Sequence, residues 1–189
     1  MYINKRRIVK QFVLVFILIP FVGISQKATL KKLDKYFQAS LTAWNIPGMS
    51  IAIVKDDSLV FAKGYGVRDI STKEAVDENT LFAIASNSKS FTSAALAILV
   101  DEGKLKWDDK VIDYLSYFKL YDPYVTHSMT IRDLLSHRSG LKTFSGDLIW
   151  YGSSHSREEV IRRASFLKPS YPFRTEFGYS NIMYLAAGE

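Results

Sequence analysis

One stretch decides how the chain is organised: Phe82-Ala-Ile-Ala-Ser-Asn-Ser-Lys-Ser-Phe-Thr92. An apolar, strand-like lead-in gives way to small hydroxyl residues, which open an Ala/Leu-rich run that reaches Val100 and stops at Gly103. This order predicts the start of a helix. Ser86 and Lys89 are three residues apart, so a helix places them on one face, about one turn apart and within reach of each other.

The pair Ser86 and Lys89 is a candidate nucleophile and base. A serine hydroxyl attacks poorly until a neighbouring group takes its proton, and a lysine accepts that proton only when it is neutral. Free lysine has a pKa of about 10.4, so burial or a nearby cation must lower it. The positive end of a helix also favours negative charge developing on Ser86 and on an oxyanion beside it.

Helix capping is the competing interpretation of Ser86, because serine often occupies the N-cap position. The spacing Ser-x-x-Lys also occurs at Ser116/Lys119, Ser139/Lys142 and Ser165/Lys168. Of these four pairs, only Ser86 combines a strand-like lead-in with a long apolar helix behind it. The motif alone does not separate a nucleophile from a cap.

Two later blocks add support: Thr130-Ile-Arg-Asp-Leu-Leu-Ser-His-Arg-Ser-Gly-Leu141 and Phe177-Gly-Tyr-Ser-Asn181. In this order, the three blocks resemble the serine β-lactamase-related hydrolases. They are most similar to the class C β-lactamase branch, with its D-alanyl-D-alanine peptidases and esterases, where Tyr-x-Asn stands in place of Ser-Asp-Asn. The resemblance extends from about Leu30 to Glu189 and is specific to the superfamily, not to a substrate.

The resemblance implies a role for each residue. Ser86 would attack an amide or ester carbonyl to form an acyl-enzyme, while Lys89 and Tyr179 would transfer protons and Asn181 would bind the acyl part of the substrate. Implied substrates are small molecules or peptidoglycan peptides, namely D-alanyl peptides, β-lactams or small esters, with no metal or organic cofactor. The alternatives are a non-catalytic penicillin-binding or sensing module and an inactive truncated fragment.

The third motif of the family, Lys or His followed by Thr or Ser and then Gly, does not occur in this sequence. Arg138-Ser139-Gly140 is superficially similar, but it follows a predicted helix and lies between the other two motifs. In the family, that strand supplies one oxyanion-hole N–H and a cation that receives a substrate carboxylate. We therefore expect a domain that is incomplete at its C-terminal side, with an exposed sheet edge that favours aggregation.

The N-terminal residues have the pattern of a secretory signal peptide. Residues 1–10 carry four basic side chains and no acidic one, and residues 12–24 are almost wholly apolar. This apolar segment is interrupted by Pro20. It is too short to span a bilayer, which takes roughly 20 residues. We expect cleavage near Ser25, which leaves residues 26–189 as a secreted or periplasmic domain without a stable membrane span.

Composition excludes two classes of function. The formal charge is +6, but removing the four cations of residues 1–10 leaves 21 basic against 19 acidic residues, or +2. A nucleic-acid partner is therefore not expected. With no cysteine, the chain has neither disulfides nor thiolate metal sites. An apolar share of 48% indicates a globular protein that depends on its packed core.

The remaining patterns predict an α+β fold, which the resemblance makes β-lactamase/transpeptidase-like: a sheet flanked by helices, with a helical region. Apolar periodicity predicts an amphipathic helix over 28–44, and two β-rich runs around Asp56-Asp57-Ser58 predict a hairpin of 49–55 and 59–65. Short helices are expected over 108–115, over 131–136 with Thr130 as the N-cap, and over 157–165 after the capping box Ser156-x-x-Glu159. His137 is expected to pack and hydrogen-bond, and segment 146–155 is a candidate cleft lining.

Overall fold

The computed structural model describes residues 27–189. The expected signal peptide, residues 1–25, lies outside the described residues. The chain divides into two compact units, one ending at Ala83 and one covering Ile84–Glu189. Within residues 27–189, no helix combines the length and the apolar character that crossing a bilayer requires.

The first unit contains a helix and a two-stranded antiparallel sheet. Helix α1 covers residues 27–43, and strands β1 (Gly48–Lys55) and β2 (Ser58–Gly66) pair with each other. Asp56 and Asp57 form the turn with φ of 49° and 57°, the left-handed conformation typical of a type I′ hairpin. The predicted helix and hairpin are both confirmed to within about one residue at each end.

Contacts with α1 hold the hairpin in place. The Asp34 carboxylate accepts hydrogen bonds from Lys63 Nζ and Tyr65 Oη, each at 2.7 Å. The Phe37 ring lies 6.2 Å from the Phe61 ring and 6.1 Å from the Tyr65 ring. The aromatic face of the predicted amphipathic helix therefore packs on the sheet, as expected for a core-facing stripe.

The second unit is helical. Its longest helix, α2 (Ser88–Asp101), follows a 3-10 turn at Ala85–Asn87. The other helices are α3 (Val111–Tyr114), α4 (Pro123–Ser128), α5 (Ile131–Leu135), α6 (Asp147–Trp150), α7 (Arg157–Arg163) and α8 (Asn181–Ala187). Fully buried side chains from α5, α7 and α8, including Leu134, Ile161 and Ile182, form the centre of its core. A helix and sheet followed by a helical unit confirm the α+β class.

Three local predictions differ from the structure. The apolar lead-in 81–85 is not a strand: residues 81–84 have no regular secondary structure, Ala85 begins the 3-10 turn, and the sheet in the described part of the chain pairs only β1 with β2. The helix expected over 108–115 is the single turn α3, and Tyr114 is half exposed, with its hydroxyl donating to Asp109 at 2.7 Å. Helix α7 ends at Arg163 and continues as a 3-10 turn.

Two short helices were not predicted. Helix α4 begins at a recognisable signal, since the Asp122 carboxylate caps it and Pro123 occupies its first turn. Helix α6 follows Gly146, which has a φ of 79°. The single turn of α6 is too short to produce a periodic pattern.

A buried carboxylate joins α5 to the segment that leads into α8. Asp133 is fully buried and accepts hydrogen bonds from the Thr130 N–H and hydroxyl, from Arg138 Nε at 2.6 Å and from Arg174 Nη2 at 2.7 Å. Burial alone would raise the pKa of the Asp133 carboxyl, but hydrogen bonds from Arg174 and Thr130 outweigh it and lower the pKa to about 2. The sequence predicted the Thr130 cap but not the two arginine partners.

Replacing Asp133 with alanine removes a fully buried acceptor of hydrogen bonds from Thr130 and from two arginines. We expect the free energy of unfolding to fall by about 1.5–3 kcal/mol, the scale of hydrogen bonds to a charged group. Urea unfolding followed by circular dichroism measures it. Asp108→Ala is the matched control, because it breaks an exposed pair with Arg132 at 2.8 Å. Loss of such a surface pair should cost only about 0–1 kcal/mol. Equal losses in the two variants would contradict the role given to the buried carboxylate.

The low pKa of Asp133 predicts an acid-sensitive stability. Because this pKa is lower in the folded protein than the value of about 3.9 in an unfolded chain, the stabilisation is complete above about pH 4 and is lost as the pH falls towards about 2. Urea unfolding at several pH values between 5 and 2 tests this. Asp133→Asn should flatten the decline, and an unchanged pH slope in that variant would show that other groups cause it.

Candidate active site

The 3-10 turn Ala85–Asn87 presents Ser86 directly before α2. Ala85 has a φ of 44°, a left-handed conformation that residues other than glycine seldom adopt, so the backbone turns sharply there. Asn87, and not Ser86, occupies the N-cap position of α2. The capping interpretation of Ser86 is therefore wrong: its side chain is exposed at the positive end of a 14-residue helix and bonds elsewhere.

The structure brings the four predicted site residues into one hydrogen-bond network. Ser86 Oγ lies 2.5 Å from Tyr179 Oη. Lys89 Nζ donates to Ser86 Oγ at 3.1 Å and to Asn181 Oδ1 at 2.7 Å. A hydroxyl, an amine, a phenol and an amide from two distant parts of the sequence thus meet within hydrogen-bond distance.

Asp147 extends this network. The sequence pattern indicated the segment that contains Asp147 but not the residue itself. Asn181 Nδ2 donates to Asp147 Oδ2 at 2.8 Å, and Trp150 Nε1 donates to Asp147 Oδ1 at 3.3 Å. A carboxylate only accepts hydrogen bonds, so Asp147 holds the Asn181 amide with its oxygen towards Lys89. Segment 146–155 was predicted to line a cleft, but a single aspartate at the start of a one-turn helix carries no motif that would distinguish it.

Backbone contacts fix the position of Tyr179. Its N–H donates to Thr143 Oγ1 at 3.2 Å, and its carbonyl accepts from the Phe144 N–H at 2.8 Å. The preceding residue is Gly178, where an added Cβ would overlap the carbonyl oxygen of Leu141. Only glycine allows the chain to approach the Leu141 backbone this closely.

Electrostatics at the site lower the pKa of the Tyr179 phenol. The proximity of Lys89 first, and then the contact with Ser86, lower the pKa of the Tyr179 phenol below its usual value of 10. The Lys89 ammonium also lies 4.8 Å from the centre of the Tyr179 ring and 5.5 Å from that of Tyr184. A lowered phenol pKa makes proton exchange with a neighbouring hydroxyl easier than at an unperturbed tyrosine.

Hydrogen-bond partners distinguish Ser86 from the serines of the other three Ser-x-x-Lys pairs. Among residues 27–189, the three other Ser-x-x-Lys pairs have no hydrogen bond between their serine and lysine side chains. Ser139 is buried and accepts from the Leu141 N–H, while Ser165 donates to the Arg162 carbonyl.

A cavity of about 270 Å³ borders the network. Lys89, Asn181, Tyr184, Trp150 and Arg157 contribute to its lining. Trp150 therefore lines a cleft as predicted, whereas Tyr151 is exposed and does not contribute. A larger cavity of about 660 Å³ along α2 is lined mostly by apolar side chains and by none of the four network residues. Of these two cavities, only the smaller is lined by network residues, namely Lys89 and Asn181, and Ser86 and Tyr179 do not contribute to its lining. Because a reactive site needs convergent polar groups, we take the smaller cavity as the space beside the network.

Comparison with known proteins agrees with this geometry. Residues 33–189 match the Beta-lactamase family model. The Unguisins hydrolase ungD of Aspergillus violaceofuscus is 34% identical over 155 residues, which cover 78% of this chain and 27% of that protein. A penicillin-binding protein homologue from Pyrococcus abyssi is 28% identical with a TM-score of 0.67, covering 84% of this chain and 37% of that one. The solved structure of a class C β-lactamase is 24% identical with a TM-score of 0.69, and the match covers 85% of this chain and 43% of the β-lactamase chain. This similarity shows a shared fold.

The chain belongs to the β-lactamase family. The predicted family resemblance and the predicted β-lactamase/transpeptidase-like fold are both confirmed. The chain spans less than half the length of each of these relatives.

Replacing Lys89 with methionine removes the cation beside the phenol, and we expect the Tyr179 pKa to rise. NMR of protein labelled at tyrosine Cζ measures this titration, and Tyr179→Phe assigns the signal among 11 tyrosines. Lys168→Met, from another Ser-x-x-Lys pair, is the matched control and should leave the signal unchanged. A Tyr179 signal that titrates identically in Lys89→Met would contradict the electrostatic coupling.

Proposed function

We propose that the protein is a serine hydrolase that acts on an amide or ester through an acyl-enzyme on Ser86. One observation carries the proposal: the exposed Ser86 hydroxyl is hydrogen-bonded to both the Tyr179 phenol and the Lys89 amine. An alcohol that an incoming carbonyl can reach, and that has two proton-handling groups within hydrogen-bond distance, is the arrangement of an activated nucleophile.

Tyr179 is the proposed base for acylation. Its ionised phenol takes the proton from Ser86 as the serine oxygen bonds to the carbonyl carbon, and the carbonyl oxygen becomes an oxyanion. As the tetrahedral intermediate collapses, Tyr179 returns the proton to the departing amine or alcohol, with Lys89 stabilising the phenolate. Water then attacks the acyl carbon and gives its proton to Tyr179, which passes it to the Ser86 oxygen as the acid is released.

The oxyanion is placed at the positive end of α2, with the Ser86 N–H as one donor. In the family resemblance, the second donor comes from the third-motif strand, whose residues this sequence does not contain. Removal of one oxyanion donor typically costs about 100-fold to 1000-fold in rate, so the Ser86 N–H is expected to contribute on that scale.

Asn181 orients the acyl part of the substrate with the one hydrogen-bonding group it has left. Its oxygen is occupied by Lys89, and one hydrogen of its Nδ2 by Asp147. The second Nδ2 hydrogen can donate to a substrate carbonyl. This leaves Asn181 as a donor to substrate and as the connection between the Lys89 amine and the Asp147 carboxylate.

The proposed substrates are D-alanyl peptides, β-lactams or small esters, encountered outside the cytoplasm after removal of residues 1–25. Membership in the β-lactamase family and the similarity to a named hydrolase support amide or ester chemistry. The basic and apolar pattern of residues 1–24 supports export.

Covalent labelling tests the proposal. We expect a fluorescent penicillin or a fluorophosphonate to label the wild-type chain, and mass spectrometry to locate the adduct on Ser86. Ser86→Ala should abolish labelling, and Tyr179→Phe should slow it by about 100-fold to 10,000-fold, the usual range for loss of a general base. Ser165→Ala, from a Ser-x-x-Lys pair outside the network, should label like the wild type.

Folded wild-type protein that takes neither probe, or an adduct that persists in Ser86→Ala, would contradict the proposal. Absence of labelling would favour the non-catalytic module or the inactive fragment. Circular dichroism of each variant separates loss of chemistry from loss of fold.

A further inference from the structure

His137 is a buried titratable side chain that takes no part in the proposed proton transfers. Its Nδ1 accepts a hydrogen bond from the Ser180 N–H at 3.0 Å. Because an accepting nitrogen carries no proton, the neutral ring must have its proton on Nε2. Ser180 lies between Tyr179 and Asn181, so this one bond holds the backbone that carries both functional side chains.

The His137 ring also supports the Tyr179 phenol directly. The two rings are stacked, with centres 4.7 Å apart and planes 28° apart. On the other sides, the Tyr184 ring lies 5.1 Å and the Phe177 ring 5.3 Å from His137. Aromatic neighbours on several sides restrict the imidazole to one position, and Tyr179 rests on it.

The backbone of His137 contributes a third contact. Its carbonyl accepts from the Gly178 N–H at 2.8 Å, so side chain and main chain together bind residues on both sides of Tyr179. His137 has a φ of 57°, a left-handed conformation uncommon for a residue with a side chain. Such a conformation persists where surrounding contacts enforce it, which points to a position with a specific role.

We propose that His137 is a positioning residue: as the neutral Nε2–H tautomer, it holds Tyr179 and Asn181 in register with Ser86, and its protonation releases them. A proton on Nδ1 would turn the acceptor into a donor that faces the Ser180 N–H. The bond would then be lost, and the start of α8 would move away from the nucleophile. The catalytic part of this inference rests on the proposed function, whereas the tautomer and the contact do not.

The charges around His137 favour the neutral ring. The titratable groups that face it are Lys89 from α2, Tyr179 from the preceding loop and Tyr184 from α8. On its own segment, Arg138 and Asp133 are bonded to each other. Burial first, and then the positive charge of Lys89, lower the pKa of His137 below its usual 6.5. Its contribution to stability is therefore complete above about pH 6.5 and declines as the pH falls below that value.

A direct test uses the NMR of histidine-labelled protein, with the His137 signals assigned by their absence in His137→Asn. We expect the Nε2–H tautomer at neutral pH and a pKa below about 6.5. A predominant Nδ1–H tautomer would overturn the inference. This measurement is independent of any activity.

Two variants separate the acceptor from the ring. His137→Phe keeps an aromatic ring under Tyr179 but removes the acceptor, and we expect Ser86 acylation to slow by about 100-fold, a typical cost of a misplaced catalytic group. His137→Asn offers an oxygen close to the Nδ1 position, and its rate should stay within about tenfold of the wild type near neutral pH. His127→Asn, on the exposed side of α4, is the matched control and should acylate like the wild type.

The acceptor role is overturned if His137→Phe acylates as fast as the wild type, or if His137→Asn is as slow as His137→Phe. The Tyr179 titration keeps the test independent of catalysis. In His137→Phe, the Tyr179 pKa should rise towards about 10 as its contacts with Ser86 and Lys89 loosen, and in His137→Asn it should not. If the wild type takes no acyl probe, the hydrolase proposal fails, while the tautomer and this titration still decide whether His137 positions the phenol.

Discussion

The hydrogen bonds of the Lys89 amine connect the start of α2 with the start of α8, and the candidate site depends on this connection. One bond reaches Ser86 and the other Asn181, with the phenol of Tyr179 closing the group. Each bond requires its helix to begin at the observed residue. The Ala85 turn meets this requirement for α2, and the buried Ser180 cap meets it for α8.

The block of residues 130–141 serves as the rigid support for the second half of the site. Asp133 binds Arg174, the carbonyl of Arg138 accepts from the Arg174 N–H, and His137 binds Gly178 and Ser180. These contacts hold the segment that leads into α8 along its whole length. None of these bonds involves the four network side chains, yet together they hold the backbone that carries the Tyr179 phenol.

Sequence reasoning reached the parts of this structure that have local signals. The four network residues lie in short motifs next to apolar helical runs. Thr130 and Ser156 are helix caps that can be recognised from the local sequence pattern. Asp147 and Arg174 lack such a signal, because no periodicity marks them and the partner is 34 or more residues away. The prediction of a strand before Ser86 was wrong for a related reason: a strand forms only where a partner strand is available, and the local sequence does not identify that partner.

Gly178 has a consequence for how freely this protein can vary. Since a Cβ there would overlap a neighbouring carbonyl oxygen, even the smallest side chain is excluded from the observed backbone path. A position with no functional group, one residue from the Tyr179 phenol, therefore admits no residue other than glycine on this backbone path. Natural or engineered diversity in this cleft is more easily accommodated at exposed lining residues such as Trp150 and Arg157 than in the segment that carries Tyr179.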